Sequence, residues 1–417
     1  MMHRKMAAHI IVRYPFNLTL MANMKSKKKA YKFSWREGNQ FDVLIDGTEF
    51  YPRMLDAIES AKRYILLEMY LFESGKVADR FINALLTAAN QGVRVYLLLD
   101  DYGSLDLKQP DRDRLSHPNI QTMYYNPLQS HNQLALLYRI FRHHIVRSLY
   151  RDHRKLLLID GKIAFVGGAG ITDNFDPPDP GDRWRETMVE IQGPVLGDWQ
   201  QIFEEGWNRY ARQELELPFI LPAEITDGQL GRVTVNEAQK RQGMKRSLYK
   251  RIHDVNHRYW LATAYFLPTW RLRRRLMHAA RSGVDVRVLL PGSIIDHPWV
   301  RYASHRYYGR LLRQGVRIFE YQPRFFHAKM SLGDNWVSIG SCNFDRWNIL
   351  WNLEANQEID DQYIAKKVKA IFEKDFESSL EITYDEWINR NWYARFLEWL
   401  FHRFEMLLFT IRQRRHK

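Results

Sequence analysis

The sequence predicts an α/β protein of two pseudo-symmetric repeats, each a mixed β-sheet covered by helices on both faces. Two observations predict it: a strand–helix–strand unit occurs twice, and two further blocks recur behind it in the same order.

The first unit opens on Tyr64-Ile65-Leu66-Leu67-Glu68-Met69-Tyr70-Leu71, which reads as a buried strand. A helical stretch follows, then Gly92-Val93-Arg94-Val95-Tyr96-Leu97-Leu98-Leu99, whose apolar run is a second strand. The second unit repeats this with Tyr259 to Phe266, a helix, and Gly283-Val284-Asp285-Val286-Arg287-Val288-Leu289-Leu290. Gly92 and Gly283 hold equivalent places, where the residue after a helix turns left-handed before the next strand. Behind each unit comes a hairpin ending in small residues: His153 to Asp160 with Ile163 to Gly168, and His327 to Asp334 with Trp336 to Ser341. Last, Glu186 to Ile191 matches Glu354 to Ile359. Three matched blocks in one order make duplication the economical explanation. The repeats fall at 33–213 and 232–385, joined by a linker at 214–231 that Pro218, Pro222 and Gly228 interrupt.

A chain of 417 residues with 45% hydrophobic and 26% charged residues has the make-up of a folded body rather than a disordered one. Its 62 Lys and Arg against 48 Asp and Glu leave a formal charge of +14, which favours polyanionic partners, either nucleic acid or an anionic membrane surface. The single cysteine, Cys342, excludes an internal disulfide framework and fits a reducing compartment. No run approaches eighteen apolar residues, so any membrane contact is expected to be peripheral. Residues 1–32 read as a basic tail without a signal h-region or cleavage site, and no role is assigned to them.

The chemistry lies in a pattern His-x-Lys-x4-Asp, present as His153, Lys155, Asp160 and again as His327, Lys329, Asp334. At this composition chance supplies about 0.05 copies per chain, and two copies about one time in a thousand. Both copies also sit at the same place in the repeat. A phosphodiester is anionic and resists attack, so its cleavage needs fixed positive charge, a nucleophile and a proton for the departing alkoxide. Lys155 and Lys329 supply the charge. One histidine attacks phosphorus while the other, on the opposite side, protonates the leaving oxygen, a division of labour that accounts for the duplication. In a His-x-Lys strand the two side chains share a face and reach the same phosphate.

A nucleophilic histidine needs an acceptor for its other nitrogen, and Glu186 and Glu354 are the candidates. Asp160 and Asp334 complete the motifs and read as structural or ion-pairing supports rather than bases. Ser341 and Asn343 are expected to donate to phosphate oxygens. No metal or cofactor is expected: a lysine inside each triplet repels a cation, and neither motif has His-x3-His or cysteine spacing.

At these residues the chain resembles the phospholipase D superfamily, whose signature is this doubled motif followed by Gly-Ser-x-Asn. The resemblance runs from about Phe33 to Ser379. More closely, the chain is similar to bacterial cardiolipin synthases of the short type lacking N-terminal transmembrane helices. The matching stretches are Ser34 to Asn39, Leu98 to Ser104, Gly315 to Tyr321, Gly340 to Asp345 and Asn352 to Asn356. The resemblance implies two phospholipase D-type repeats with one shared active site at their interface. It also implies transphosphatidylation through a phosphatidyl-histidine, with a lipid hydroxyl in place of water as acceptor and no required metal. The roles of nucleophile and general acid/base carry over to His153 and His327, and phosphate binding to Lys155, Lys329 and Asn343. One departure stands out. Where many relatives have Gly-x-x-Asn after the first motif, this chain has Gly167-Gly168-Ala169-Gly170, and Thr172 or Asn174 would have to compensate.

The expected function is that of a cardiolipin synthase joining two phosphatidylglycerols, or phosphatidylglycerol and another phospholipid, with release of the headgroup alcohol. The alternative is a phospholipase D or nuclease-type hydrolase of the same superfamily. A non-catalytic binding module is a third possibility, against which the intact doubled motif stands. The expected partner is a phospholipid membrane rather than nucleic acid, and the expected place is the cytoplasmic side of a bacterial cell membrane. Two segments outside the repeat bear on this. Residues 386–417 mix Trp and Phe with Arg at spacings of three and four, which suits an amphipathic helix at a headgroup interface, or else a core-packing helix with a charged outer face. Leu134 to Arg151 is expected either to form the lip by which a lipid phosphate enters or to be a surface loop.

Overall fold

The computed structural model describes residues 32–127, 150–209, 223–237, 241–346 and 352–414, with isolated positions at 211, 214–215 and 217–218. Almost all of the Leu134–Arg151 segment and most of the N-terminal tail lie outside these residues.

The first repeat runs β1 (Arg36–Ile45), α1 (Gly47–Glu59), β2 (Tyr64–Met69), α2 (Lys76–Asn90), β3 (Arg94–Asp100), α3 (Gln109–Arg114), β4 (Ile120–Tyr125), β5 (Lys155–Ile159), β6 (Ile163–Gly167), β7 (Thr187–Gln192) and α4 (Leu196–Asn208). The second runs β8 (Gln229–Glu237), β9 (Arg241–Gln242), α5 (Gly243–Asp254), β10 (Arg258–Ala262), α6 (Trp270–Arg281), β11 (Asp285–Pro291), α7 (Pro298–His305), α8 (Tyr308–Leu312) and β12 (Arg317–Tyr321). It continues through β13 (Met330–Gly333), β14 (Trp336–Gly340), β15 (Leu353–Asp360), α9 (Gln362–Glu377), β16 (Ser379–Ile382), α10 (Tyr384–Ile388) and α11 (Trp392–Arg414).

The two sheets merge into one, in the order β16-β12-β11-β10-β13-β14-β15-β8-β1-β7-β6-β5-β2-β3-β4, and the described chain forms a single compact unit. The order reads almost the same from either side of the β8–β1 join, which is the duplication made visible. In each half the strands of the strand–helix–strand unit are parallel and the hairpin strands antiparallel. The join itself is antiparallel and irregular, pairing Arg36 with Gly231 and Asn39 with Gln229. The expected linker therefore ends earlier than 231: Gln229 already begins β8 at the centre of the sheet. Its N-terminal part falls partly outside the described residues.

Alternation along the strands fills both faces. Tyr64 and Leu66, Tyr96 and Leu98, and Trp260 and Ala262 point into one core that crosses both repeats beneath α4 and α9. Their neighbours Ile65 and Leu67 face α1 and α2, and Tyr259 and Leu261 face α6 to α8. β2 is buried on both faces and so shows no polar alternation; its one charged residue, Glu68, lies 2.6 Å from Arg154. Gly92 and Gly283 have φ of 89° and 88° in open space, so it is backbone conformation that requires glycine there. The amides of Gly92 and Val93 bond to Ala89 O and Ala88 O, and those of Gly283 and Val284 to Ala280 O and Ala279 O, the paired bonds that close a helix C-terminus.

The C-terminal helix α11 meets both sequence readings halfway. One side packs on α7, with Tyr302 stacked on Phe401 at 5.6 Å and Trp299 edge-on to Phe404 at 6.3 Å. The other side is aromatic rather than merely charged: Trp392 is 77% exposed and Trp399 49%. The side chains of the terminal basic cluster from Arg412 on lie outside the description.

Candidate active site

His153 and His327 each stand just before a central hairpin strand, in segments stitched to the opposite repeat. The amide of His153 donates to Leu353 O at 3.0 Å, and Leu353 donates to Arg151 O at 3.0 Å. Symmetrically, His327 donates to Arg185 O at 2.8 Å and Arg185 to Phe325 O at 2.9 Å. Crossing over brings each histidine to the glutamate of the other half. Nδ1 of His153 lies 3.1 Å from Glu354 Oε2, and Nδ1 of His327 lies 2.5 Å from Glu186 Oε2. Arg185 reinforces the crossing with bonds of 3.1 and 2.8 Å to Asp375.

The two lysines complete one cluster. Lys155 Nζ donates to His153 O at 2.6 Å, and Lys329 Nζ lies 3.3 Å from Glu186 Oε2 and 2.8 Å from His327 Nδ1. Burial pushes His153 well below the ordinary imidazole range, and Lys155, Lys329 and His327 push it further, so the four groups share one electrostatic field. Burial likewise lowers His327, with Lys329 adding to the shift and Glu186 opposing it. Lys155 is brought down to about 7, mainly by burial. The lysines are sealed in, yet the two imidazoles keep 12% and 11% of their side-chain surface exposed, enough for a substrate to reach the rings.

The carboxylates differ. Glu186 is buried, but Lys329, His327 and the Thr187 amide at 2.9 Å hold it below the usual range. Glu354 is pushed well above that range by burial, and its Oε2 accepts the Ser341 hydroxyl at 2.5 Å. Ser341, which lies against the start of β15, thus bonds Glu354 in this structure. Asn343 is buried, its amide oxygen 3.3 Å from the Thr263 hydroxyl.

Around the histidines stand aromatic walls not anticipated from the motifs. Tyr70 packs 4.7 Å from His153, and Trp184, Phe325 and Phe175 lie 5.3, 5.6 and 5.8 Å from His327. One signal was available: Tyr70 and Tyr265 hold equivalent repeat positions, and Tyr265 donates its hydroxyl to Asp296, which acts electrostatically on both His327 and Lys329.

The glycine departure has a steric cause. A Cβ on Gly170 would come within 2.6 Å of Leu71, and one on Gly168 within 2.3 Å of Glu186. Neither position has room for a side chain. Thr172 does not replace the missing asparagine, since its hydroxyl bonds Glu73 at 2.6 Å and caps the Asn174 amide.

The motif aspartates are not brought to the histidines. Asp160 follows β5 at the end away from His153, across five strand residues or roughly 17 Å. Its carboxylate accepts the amides of Lys62, Arg63 and Tyr64 at 2.8, 2.8 and 2.9 Å. Asp334 does the same for Asn256, His257 and Arg258 at 2.8, 3.2 and 3.0 Å. Both have positive φ, 54° and 51°, which aspartate tolerates at a tight turn. Asp160→Ala is expected to lower unfolding stability by about 3 kcal/mol while leaving turnover per folded molecule intact. Denaturant unfolding and activity normalised to folded protein check this, and lost turnover at full stability would return the aspartate to the chemistry.

Among the described residues no group of three His, Cys, Asp or Glu side chains could hold a metal ion. Two imidazoles, each with one ring nitrogen against a buried glutamate and both beside buried ammonium groups, form instead an arrangement suited to phosphoryl transfer.

Comparison with known proteins agrees with this geometry. The family model for the cardiolipin synthase, phospholipase D-like domain matches residues 54–207 and 248–376, well over half of the chain, with one histidine–lysine motif in each stretch. Cardiolipin synthase B of Salmonella typhimurium is 33% identical over 342 residues, covering 79% of this chain and 79% of that protein. A cardiolipin synthase of Clostridium perfringens is 29% identical over 389 residues, 90% of this chain and 78% of that one. The crystal structure of a phosphatidylserine synthase from Haemophilus influenzae superposes with a TM-score of 0.66 over 88% of this chain and 93% of that one; at 13% identity this shows the shared fold. With its two repeats meeting at one pair of histidines, the chain belongs to the cardiolipin synthase family of phospholipase D-like phosphatidyltransferases.

Proposed function

We propose that this phosphatidyltransferase moves a phosphatidyl group from one phosphatidylglycerol to the free hydroxyl of a second, making cardiolipin and releasing glycerol. The observation that carries the reading is the crossed pairing of His153 with Glu354 and His327 with Glu186. One imidazole Nε2 attacks phosphorus; the P–N bond forms and the P–O bond to glycerol breaks as the opposite imidazolium gives its proton to the leaving oxygen. That second histidine, now neutral, takes the proton of the incoming lipid hydroxyl, whose oxygen forms a new P–O bond while the P–N bond breaks. Lys155 and Lys329 balance the non-bridging oxygens throughout. The second half-reaction thus returns both histidines to their starting states, so both rings are needed in every turnover.

A peripheral place on the membrane fits the exposed tryptophans of α11, and among the described residues no helix is long and apolar enough to cross a bilayer. The cytoplasmic side fits a chain whose lone cysteine is a free, buried thiol.

Purified protein on phosphatidylglycerol vesicles is expected to give cardiolipin and free glycerol in comparable amounts, read by mass spectrometry. Phosphatidic acid as the main product would make the protein a hydrolase, and efficient cleavage of DNA would make it a nuclease.

A further inference from the structure

A groove of about 830 Å³ lies between α6, α8, α10 and α11, and neither catalytic histidine lines it. Arg273, Arg306, Arg310, Arg313 and Arg395 face it. Glu398 is the one acidic residue of its lining, and Arg390 already holds it through bonds of 2.7 and 2.6 Å. Among the described residues Arg306, Arg310, Arg313 and Arg395 form no ion pair, so the groove keeps a net positive charge of several units. Its field is felt nearby. His402 is pushed down to about 4, by burial first and then by Arg346, Arg306, Arg273 and Arg403.

The rim has the opposite character. Trp392, Phe396 and Trp399 line the same groove from α11 and are exposed. A free anion has no use for an aromatic rim, and exposed tryptophans alone have no use for uncompensated arginines beneath them. A glycerophospholipid uses both, since its phosphate seats among guanidinium groups and its chains lie along indole faces at the interface.

We propose that this groove is a second phospholipid site, which holds the anionic headgroup of a membrane glycerophospholipid and fixes the orientation of the enzyme on the bilayer. The proposal rests on the membrane reading above but not on the chemistry of the histidines. The bound lipid is not consumed; it docks the second repeat against the surface from which the active site draws substrate.

The test compares full-length wild-type protein with two triple variants of equal charge change. One carries Arg306→Gln, Arg310→Gln and Arg313→Gln in the groove; the other carries Lys62→Gln, Arg94→Gln and Lys162→Gln on the exposed surface of the first repeat. Binding is read by co-sedimentation with phosphatidylcholine vesicles with and without phosphatidylglycerol. The groove variant is expected to bind anionic vesicles about a hundredfold more weakly, and the surface variant to change by less than about threefold. Turnover of a short-chain, water-soluble phosphatidylglycerol reads the active site separately and should stay at the wild-type level in both.

Equal loss in the two variants would reduce the effect to general charge attraction and overturn the site. Equally tight binding of inorganic phosphate, measured by calorimetry without vesicles, would make it a free-anion site and overturn the lipid assignment. Should the groove variant unfold early on heating, photo-crosslinking of the wild-type protein by diazirine-bearing phosphatidylglycerol decides. Labelled peptides from 306–313 and 387–402 support the proposal, and labelling confined to the histidine cleft overturns it.

Discussion

Replacing either His153 or His327 by alanine is expected to lower cardiolipin formation on the order of 10⁴-fold or more, with the double variant little worse than either single one. The reason is the single cluster. In the proposed reaction each ring acts from its own side of one phosphate, and the crossed contacts to Glu354 and Glu186 mean that neither half is complete without the other. Groups acting as a unit fail together, so the effects should not multiply. Both variants should still bind anionic vesicles and unfold near the wild-type midpoint, because the rings are partly exposed and carry little of the core. A chelator should leave wild-type turnover unchanged. Retention of a tenth of activity by either single variant would break the shared-site account, and loss on chelation reversed by added zinc would replace it with a metal mechanism.

The repeat was legible because it is written in apolar patterning. Tyr64 to Leu71 and Tyr259 to Phe266 are apolar but for Glu68 and Thr263, as strands in a sheet covered on both faces must largely be, and Gly92 and Gly283 must adopt positive φ. The histidines, lysines and glutamates were legible because their chemistry is rare at that spacing. What the pattern did not carry was the pairing. Glu186 and Glu354 were visible as equivalents, but whether each serves its own half depends on how Arg151 and Arg185 cross to the facing strand ends, which is a matter of tertiary path. The fusion into one sheet was hidden for a related reason. Its join is a short, irregular pairing of Arg36 and Asn39 with Gly231 and Gln229, and polar edge residues of that kind leave no periodic trace. The bond from Ser341 to Glu354 was hidden because a hydroxyl after a small-residue turn looks the same in the sequence whatever it meets.

The crossed glutamates, though equivalent in the repeat, should respond differently to the same substitution. Glu186→Gln is expected to lower turnover on the order of 10³-fold, whereas Glu354→Gln should cost no more than about tenfold. Glu186 is ionised beside His327 and Lys329, and glutamine removes the negative charge that supports both. Glu354 is pushed up by burial, and glutamine imitates a protonated acid: its carbonyl oxygen, placed where Oε2 lies, can accept both the Ser341 hydroxyl and the Nδ1–H of His153. Stability should separate them in the same direction. A carboxyl lowered by folding stabilises above its unfolded pKa, and that contribution is lost as pH falls through the folded value, so Glu186→Gln should destabilise at neutral pH. A carboxyl raised by folding binds more protons in the native state over the window above its unfolded pKa, and stability there falls as pH rises. Glu354→Gln removes that cost, so its unfolding midpoint at pH 7 should equal or exceed that of the wild type. The advantage should shrink as pH falls through the ordinary carboxylate range, where both forms are neutral. Turnover and denaturant unfolding of the two variants across pH measure the difference, and equal losses in both would mean that the two histidines sit in electrically equivalent settings.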